Sequence, residues 1–125
     1  MRERAEKSET LALHVVTYDS PSQFDFSVYE RAHNARMTFA KELVECFEER
    51  YDIRVHDLDE EYLELIKKNI EDELRYIASD FPKLAERYDI SESMKITNIK
   101  VLCAFTASKD SYDYTCALLE IEYVK

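Results

Sequence analysis

"IKVLCAFTASKDSYDYTCALLEI", residues 99–121, decides the fold. Two runs rich in β-branched, aromatic and small apolar residues flank a polar Lys109-Asp110-Ser111, the composition of a β-hairpin. Placing Ser108 opposite Tyr112 sets the register. Ile99 then faces Ile121, Val101 faces Leu119, Cys103 faces Ala117 and Phe105 faces Thr115. On the other side Lys100 meets Glu120 and Leu102 meets Leu118. A slip of one residue would send Glu120 to the side of the core residues, which argues for this pairing. It puts Cys103 and Cys116 on opposite faces.

Upstream, Pro82 disfavours helix at Phe81, so a long helix should break there and a short one run over 82–88. The long helix has apolar residues at Leu58, Tyr62, Leu65 or Ile66, Ile70, Leu74, Ile77 and Phe81, steps of three and four. Asp57 is placed to cap it. An earlier helix follows the capping-box letters "SVYE" (27–30), with Val28, Ala32, Ala35, Phe39, Leu43, Phe47 and Tyr51 on its apolar side. Residues 53–56, "IRVH", read as a connector with a short extended piece. Residues 10–18, "TLALHVVTY", read as a strand apolar on both faces, ended by "DSPSQ".

The predicted fold is therefore α+β: a three-stranded, mainly antiparallel sheet with helices packed on one face. The order is strand, helix, helix, short helix, strand, strand. One domain over 1–125 is expected, with a charged N-terminal segment at 1–9. No run of about 20 apolar residues and no basic-then-apolar leader occurs, so a cytoplasmic protein without membrane contact is expected.

The letters "ERYDI" occur at Glu49–Ile53 and again at Glu86–Ile90, each time after a helical run. Sliding the chain against itself by 37 positions aligns nothing else beyond a loose apolar pattern, so this is no solenoid repeat. The chain has no glycine at all. ERYDI reads as a substitute helix exit: Arg50 and Arg87 in the last turn, then Asp52 and Asp89 in the left-handed conformation glycine usually takes.

Average usage would give about nine glycines. Their absence excludes glycine-dependent phosphate loops of both common types and argues against EF-hand loops and a nucleophile elbow. Three cysteines without a CxxC make neither a disulfide framework nor a zinc site, so Cys46, Cys103 and Cys116 are expected as small buried residues. The acids of "HDLDEEYLEL" (56–65) point around a helix circumference and suit capping and a solvated face better than a metal. His56-Asp57, with His33 upstream, resembles in its letters the ligands of metal-dependent HD-type phosphohydrolases. The apolar helix those enzymes place around the pair is missing here. No catalytic residue, cofactor or metal is expected.

Charge carries the functional reading. Lys41–Glu73 holds thirteen acids and five bases, so −8 of the chain's net −10 lies there. Such a segment repels nucleic acid and attracts basic partners. The sequence predicts a non-enzymatic inhibitor of the immunity-protein or phage-inhibitor kind. It would neutralise a basic toxin, nuclease or other nucleic-acid-binding protein through an anionic helical face. The expected contacts are Glu42, Glu45, Glu49, Tyr51, Asp59, Glu60, Tyr62, Glu64, Glu71 and Asp72. Two alternatives stand beside it: an adaptor that forms a homodimer, and a small carboxylate- or metal-dependent hydrolase.

Overall fold

A computed structural model of the chain describes residues 11–124. The charged segment expected at 1–9 lies outside them. The elements are β1 (Leu11–Asp19), β2 (Phe24–Tyr29), α1 (Ala32–Glu48), β3 (Asp52–Val55), α2 (Glu60–Asp80), α3 (Pro82–Tyr88), β4 (Lys95–Lys109) and β5 (Tyr112–Val124). The class is α+β, and the five strands form one antiparallel sheet in the order β2-β1-β5-β4-β3.

The sheet has five strands where three were expected, and both additions lie at its edges. "FDFSVY" forms β2 and pairs with β1 from His14↔Tyr29 to Asp19↔Phe24. Phe24, Phe26 and Val28 alternate with Asp25 and Ser27, a period of two that the capping-box reading of Ser27–Glu30 obscured. "DSPSQ" is the turn of this hairpin, closed by Ser20 N–H donating to the Gln23 carbonyl at 3.0 Å. Helix α1 starts only at Ala32, after an Arg31 N-cap without a side-chain cap. The short extended piece at 53–56 becomes β3, paired with β4 from Asp52↔Ser108 to Val55↔Phe105. The order is thus strand, strand, helix, strand, helix, short helix, strand, strand.

Both ERYDI copies end helices in Schellman motifs, but two residues out of step with each other. After α1, Tyr51 N–H reaches the Cys46 carbonyl (2.9 Å) and Arg50 N–H the Phe47 carbonyl (3.1 Å). After α3, Ile90 N–H reaches the Ala85 carbonyl (2.8 Å) and Asp89 N–H the Glu86 carbonyl (3.3 Å). The left-handed residue is therefore Arg50 in the first copy (φ 64°) and Asp89 in the second (φ 59°). Arg87 sits in the last turn of α3, as expected, while Asp52 belongs to β3 and not to a helix exit. A cap is positioned by where the apolar face of its helix runs out, not by its own letters.

The β4–β5 hairpin turns on two residues, Asp110 and Ser111, with Asp110 at φ 57°. Its register differs from the expected one. Cys103, Phe105 and Ala107 share a cluster with Tyr114, Cys116 and Leu118, so Cys103 and Cys116 lie on the same face. The Thr106 and Thr115 hydroxyls are 3.0 Å apart. Ala117, Leu118 and Leu119 are all buried. Where both faces of a strand are covered, alternation cannot fix the register, and turn length does.

The described residues pack as two compact units. In one, built from 13–59 and 100–120, α1 lays Ala35, Phe39 and Cys46 on Val16, Phe105, Ala107, Cys116 and Leu118. Phe39 meets Phe105 edge-on at 5.4 Å between centroids, which contributes about 1 kcal/mol beyond the area buried. The other unit contains Leu11, Ala12, 60–99 and 121–124. Ile66, Ile70 and Leu74 of α2 are buried there, one helical turn apart, each stabilising by about 2 kcal/mol. Ala85, Ile90, Met94, Ile96, Ile121 and Tyr123 are buried in this unit as well. Pro82 opens α3 at its first turn, and α2 ends at Asp80, as the sequence predicts. Among the described residues no helix is long and apolar enough to cross a membrane.

Candidate functional site

Helix α1 and its C-cap present Glu42, Glu45, Cys46 and Glu49 along one side, at the three- and four-residue spacing that stacks side chains on a helix. Strand β5 presents Tyr112 and Tyr114, two residues apart and so on one face. The left-handed Arg50 turns the chain sharply after α1 and delivers Tyr51 to the same place. These seven residues line an open cleft of about 170 Å³.

Its inner wall is fixed by hydrogen bonds. Tyr114 donates its hydroxyl to Glu42 Oε1 at 2.6 Å. The Tyr114 ring stacks on Tyr18 (6.4 Å, 23°) and meets Phe105 edge-on. Burial, then the bond to the Glu42 carboxylate, pushes the Tyr114 hydroxyl far above the usual tyrosine range, so it stays a donor. Burial does the same for Tyr18, helped by its neighbour Tyr29. On the rim, Lys109 Nζ donates to the Glu49 carbonyl at 2.8 Å and lies 5.3 Å from the Tyr51 ring centroid. An ammonium group thus already rests against this wall, held by an oxygen and an aromatic face. Tyr112 and Tyr114 also line a second open cleft of about 320 Å³ with Tyr18, Ser20, Ser22, Gln23 and Asp25.

Cys46 and Cys116 do not suit nucleophilic work. Burial raises Cys116 to about 12, and burial together with Glu42, Glu49 and Glu45 raises Cys46. Neither forms the thiolate that attack or metal binding needs near neutral pH. His56 Nδ1 donates to the Asp57 carbonyl at 2.8 Å, and its Nε2 is hydrogen-bonded with Thr106 Oγ1 at 2.6 Å. Its ring is held between a strand and its own chain, and neither bond goes to a thiol. Among the described residues no three His, Cys, Asp or Glu side chains come together in a way that would hold a metal ion.

The ten expected contact residues fall in separate places. Glu42, Glu45, Glu49 and Tyr51 meet in the acid–tyrosine cleft. Glu60 and Glu64 line another open cleft, of about 420 Å³, with Leu63, Lys67, Thr97, Asn98 and Ile99. Glu71 accepts the Ile96 N–H at 2.8 Å and ties α2 to the start of β4. Asp72 lies 3.9 Å from Arg75, an exposed pair worth little. Asp59 is exposed just before α2, and Tyr62 is half-buried in its first turn. Sequence reasoning missed Tyr112 and Tyr114, although the "YDY" alternation marks them, because the slipped register turned them away from α1.

No family model, no curated protein and no solved structure matches the chain.

Proposed function

We propose that this is a non-enzymatic protein-binding protein whose acid–tyrosine cleft takes a lysine or arginine side chain of a basic partner. A toxin, a nuclease or another nucleic-acid-binding protein fits that description. The observation that carries the reading is the convergence of Glu45 and Glu49 with the Tyr51 and Tyr112 rings around one opening. Carboxylates neutralise a cation, and ring faces bind it when water is displaced. Tyrosine is also a side chain that concentrates binding energy at interfaces, because its ring orders at little entropic cost. The Lys109 ammonium on the rim serves as an internal example of the contact. The net charge of −10 adds long-range steering toward a basic surface.

The test offers the purified chain, at low salt, to the basic nucleic-acid-binding proteins of its native host and reads association kinetics. One stoichiometric partner is expected, with association slowing steeply as salt rises. Glu45→Lys with Glu49→Lys should weaken it at least tenfold, and Glu60→Lys with Glu64→Lys much less. Binding lost through Glu60 and Glu64 but untouched by the cleft variant would overturn the site. Binding to none of these proteins would overturn the reading.

A further inference from the structure

Helix α1 has a second apolar face that nothing in its own unit explains. Met37, Val44 and Phe47 are 59 %, 52 % and 62 % exposed, and Ala40 between them is exposed as well. The spacing 37, 40, 44, 47 is three, four, three, the pattern of a helix–helix seam. At about 100° per residue the stripe lies roughly 170° around the helix from the side that carries Glu42, Cys46 and Glu49.

The charges of α1 run against its own dipole. Between Arg31 and Lys41 the ionised side chains are Arg31, Arg36 and Lys41, all basic; from Glu42 to Glu49 they are Glu42, Glu45, Glu48 and Glu49, all acidic. No acid occupies the first turn and no base the last. Cations at a helix N-terminus and anions at its C-terminus are each unfavourable for an isolated helix. Of these charges, Arg36, Lys41 and Glu48 flank the apolar stripe, and a second helix of the same sequence, laid antiparallel, brings Glu48 of each copy toward the basic half of the other. Parallel pairing would set base on base and acid on acid.

We infer that the chain self-associates through α1, as a two-fold symmetric antiparallel helix pair in which Met37 meets Phe47 of the second copy and Ala40 meets Val44. The contact is isologous, so one surface serves both chains. Ala40 lets the axes approach, and a Met–Phe contact is favourable for sulfur against a ring. A single helix pair is a small interface, so the dimer is weak, with a dissociation constant of the order of 10 µM. It leaves the acid–tyrosine cleft open and does not depend on what that cleft binds.

Sedimentation of the full chain between about 1 and 500 µM tests this. A concentration-dependent monomer–dimer equilibrium is expected, shifted to monomer by Phe47→Glu. Two charge variants sharpen it: one carries Lys41→Glu and the other Glu48→Lys, residues beside the stripe and outside the cleft lining. Each alone should dimerise about tenfold more weakly, and an equal mixture should recover or exceed the original association. Circular dichroism checks that all variants are folded. Monomer at every concentration would overturn the inference. So would a dimer indifferent to Phe47→Glu, which would point to a sheet edge, or failure of the mixture to recover.

Discussion

Tyr114 and Glu42, both in the lining of the acid–tyrosine cleft, are bound to each other at 2.6 Å. The bond joins the middle of α1 to the start of β5, 72 residues later. A hydrogen bond to a charged group contributes about 1.5–3 kcal/mol, and Tyr114 is only half-buried, so the lower end applies here. Tyr114→Phe should therefore cost about 1.5 kcal/mol in urea unfolding while keeping the stacking on Tyr18. A variant as stable as the parent would show that the bond is not maintained in solution.

Stability should fall in alkali. Tyr114, Tyr18 and Cys116 all hold their protons more tightly folded than unfolded. The unfolded thiol ionises near 9 and the unfolded tyrosines near 10. Above those values the unfolded state releases protons that the folded state still keeps, so unfolding is favoured as pH rises. The stabilisation is complete below pH 9 and is lost progressively above it, with Cys116 contributing up to about 12. Urea midpoints at pH 7.5, 9 and 10.5 should decrease in that order. A flat series would mean that these groups open to solvent.

Thiol modification should be selective. Cys46 and Cys116 are buried and hold their protons to higher pH than usual, whereas Cys103 is partly exposed. Iodoacetamide at neutral pH should label Cys103 first and the other two only on unfolding, read by mass spectrometry of peptides. Cys46 labelling first would show that the cleft opens further than the structure allows.

The two helix exits make opposite forecasts for residues that occupy the same letters. Arg50→Gly and Asp89→Gly relieve a left-handed non-glycine residue and should each stabilise by about 0.5–1 kcal/mol. Asp52→Gly and Arg87→Gly place glycine in a strand and in a helix, and should each destabilise by about 0.5–1 kcal/mol. Thermal unfolding of the four variants separates the observed registers from the one in which Asp52 ends the helix.

The helical part of this fold was legible because its signals are local. Pro82 fixed the α2–α3 break, and the three- and four-residue spacing of Ile66, Ile70 and Leu74 marked a buried stripe. Leu65, equally apolar by sequence, is 55 % exposed, because burial depends on a helix phase that neighbouring letters leave open. Phe47 misleads in the same way: its spacing suits the inner face of α1, and it points outward. Strand pairing was less legible. β3 has four residues, three of them exposed, and its order comes from a partner some fifty residues away. Half of the acid–tyrosine cleft was visible as a row of glutamates. The other half depended on a hairpin register that apolar residues on both faces could not specify.

Each compact unit is discontinuous in the chain, and each is completed by β5: residues 112–120 go to one, 121–124 to the other. β5 is also made after every other described element. The ribosome adds about 5–20 residues per second, so the residues of α1 and α2 are made seconds before the strand that closes their units. During that interval Phe39, Ile66 and Ile70 lack part of the surface they will cover. Neither unit can be finished before that strand is made, so completion of both waits on the same thirteen residues.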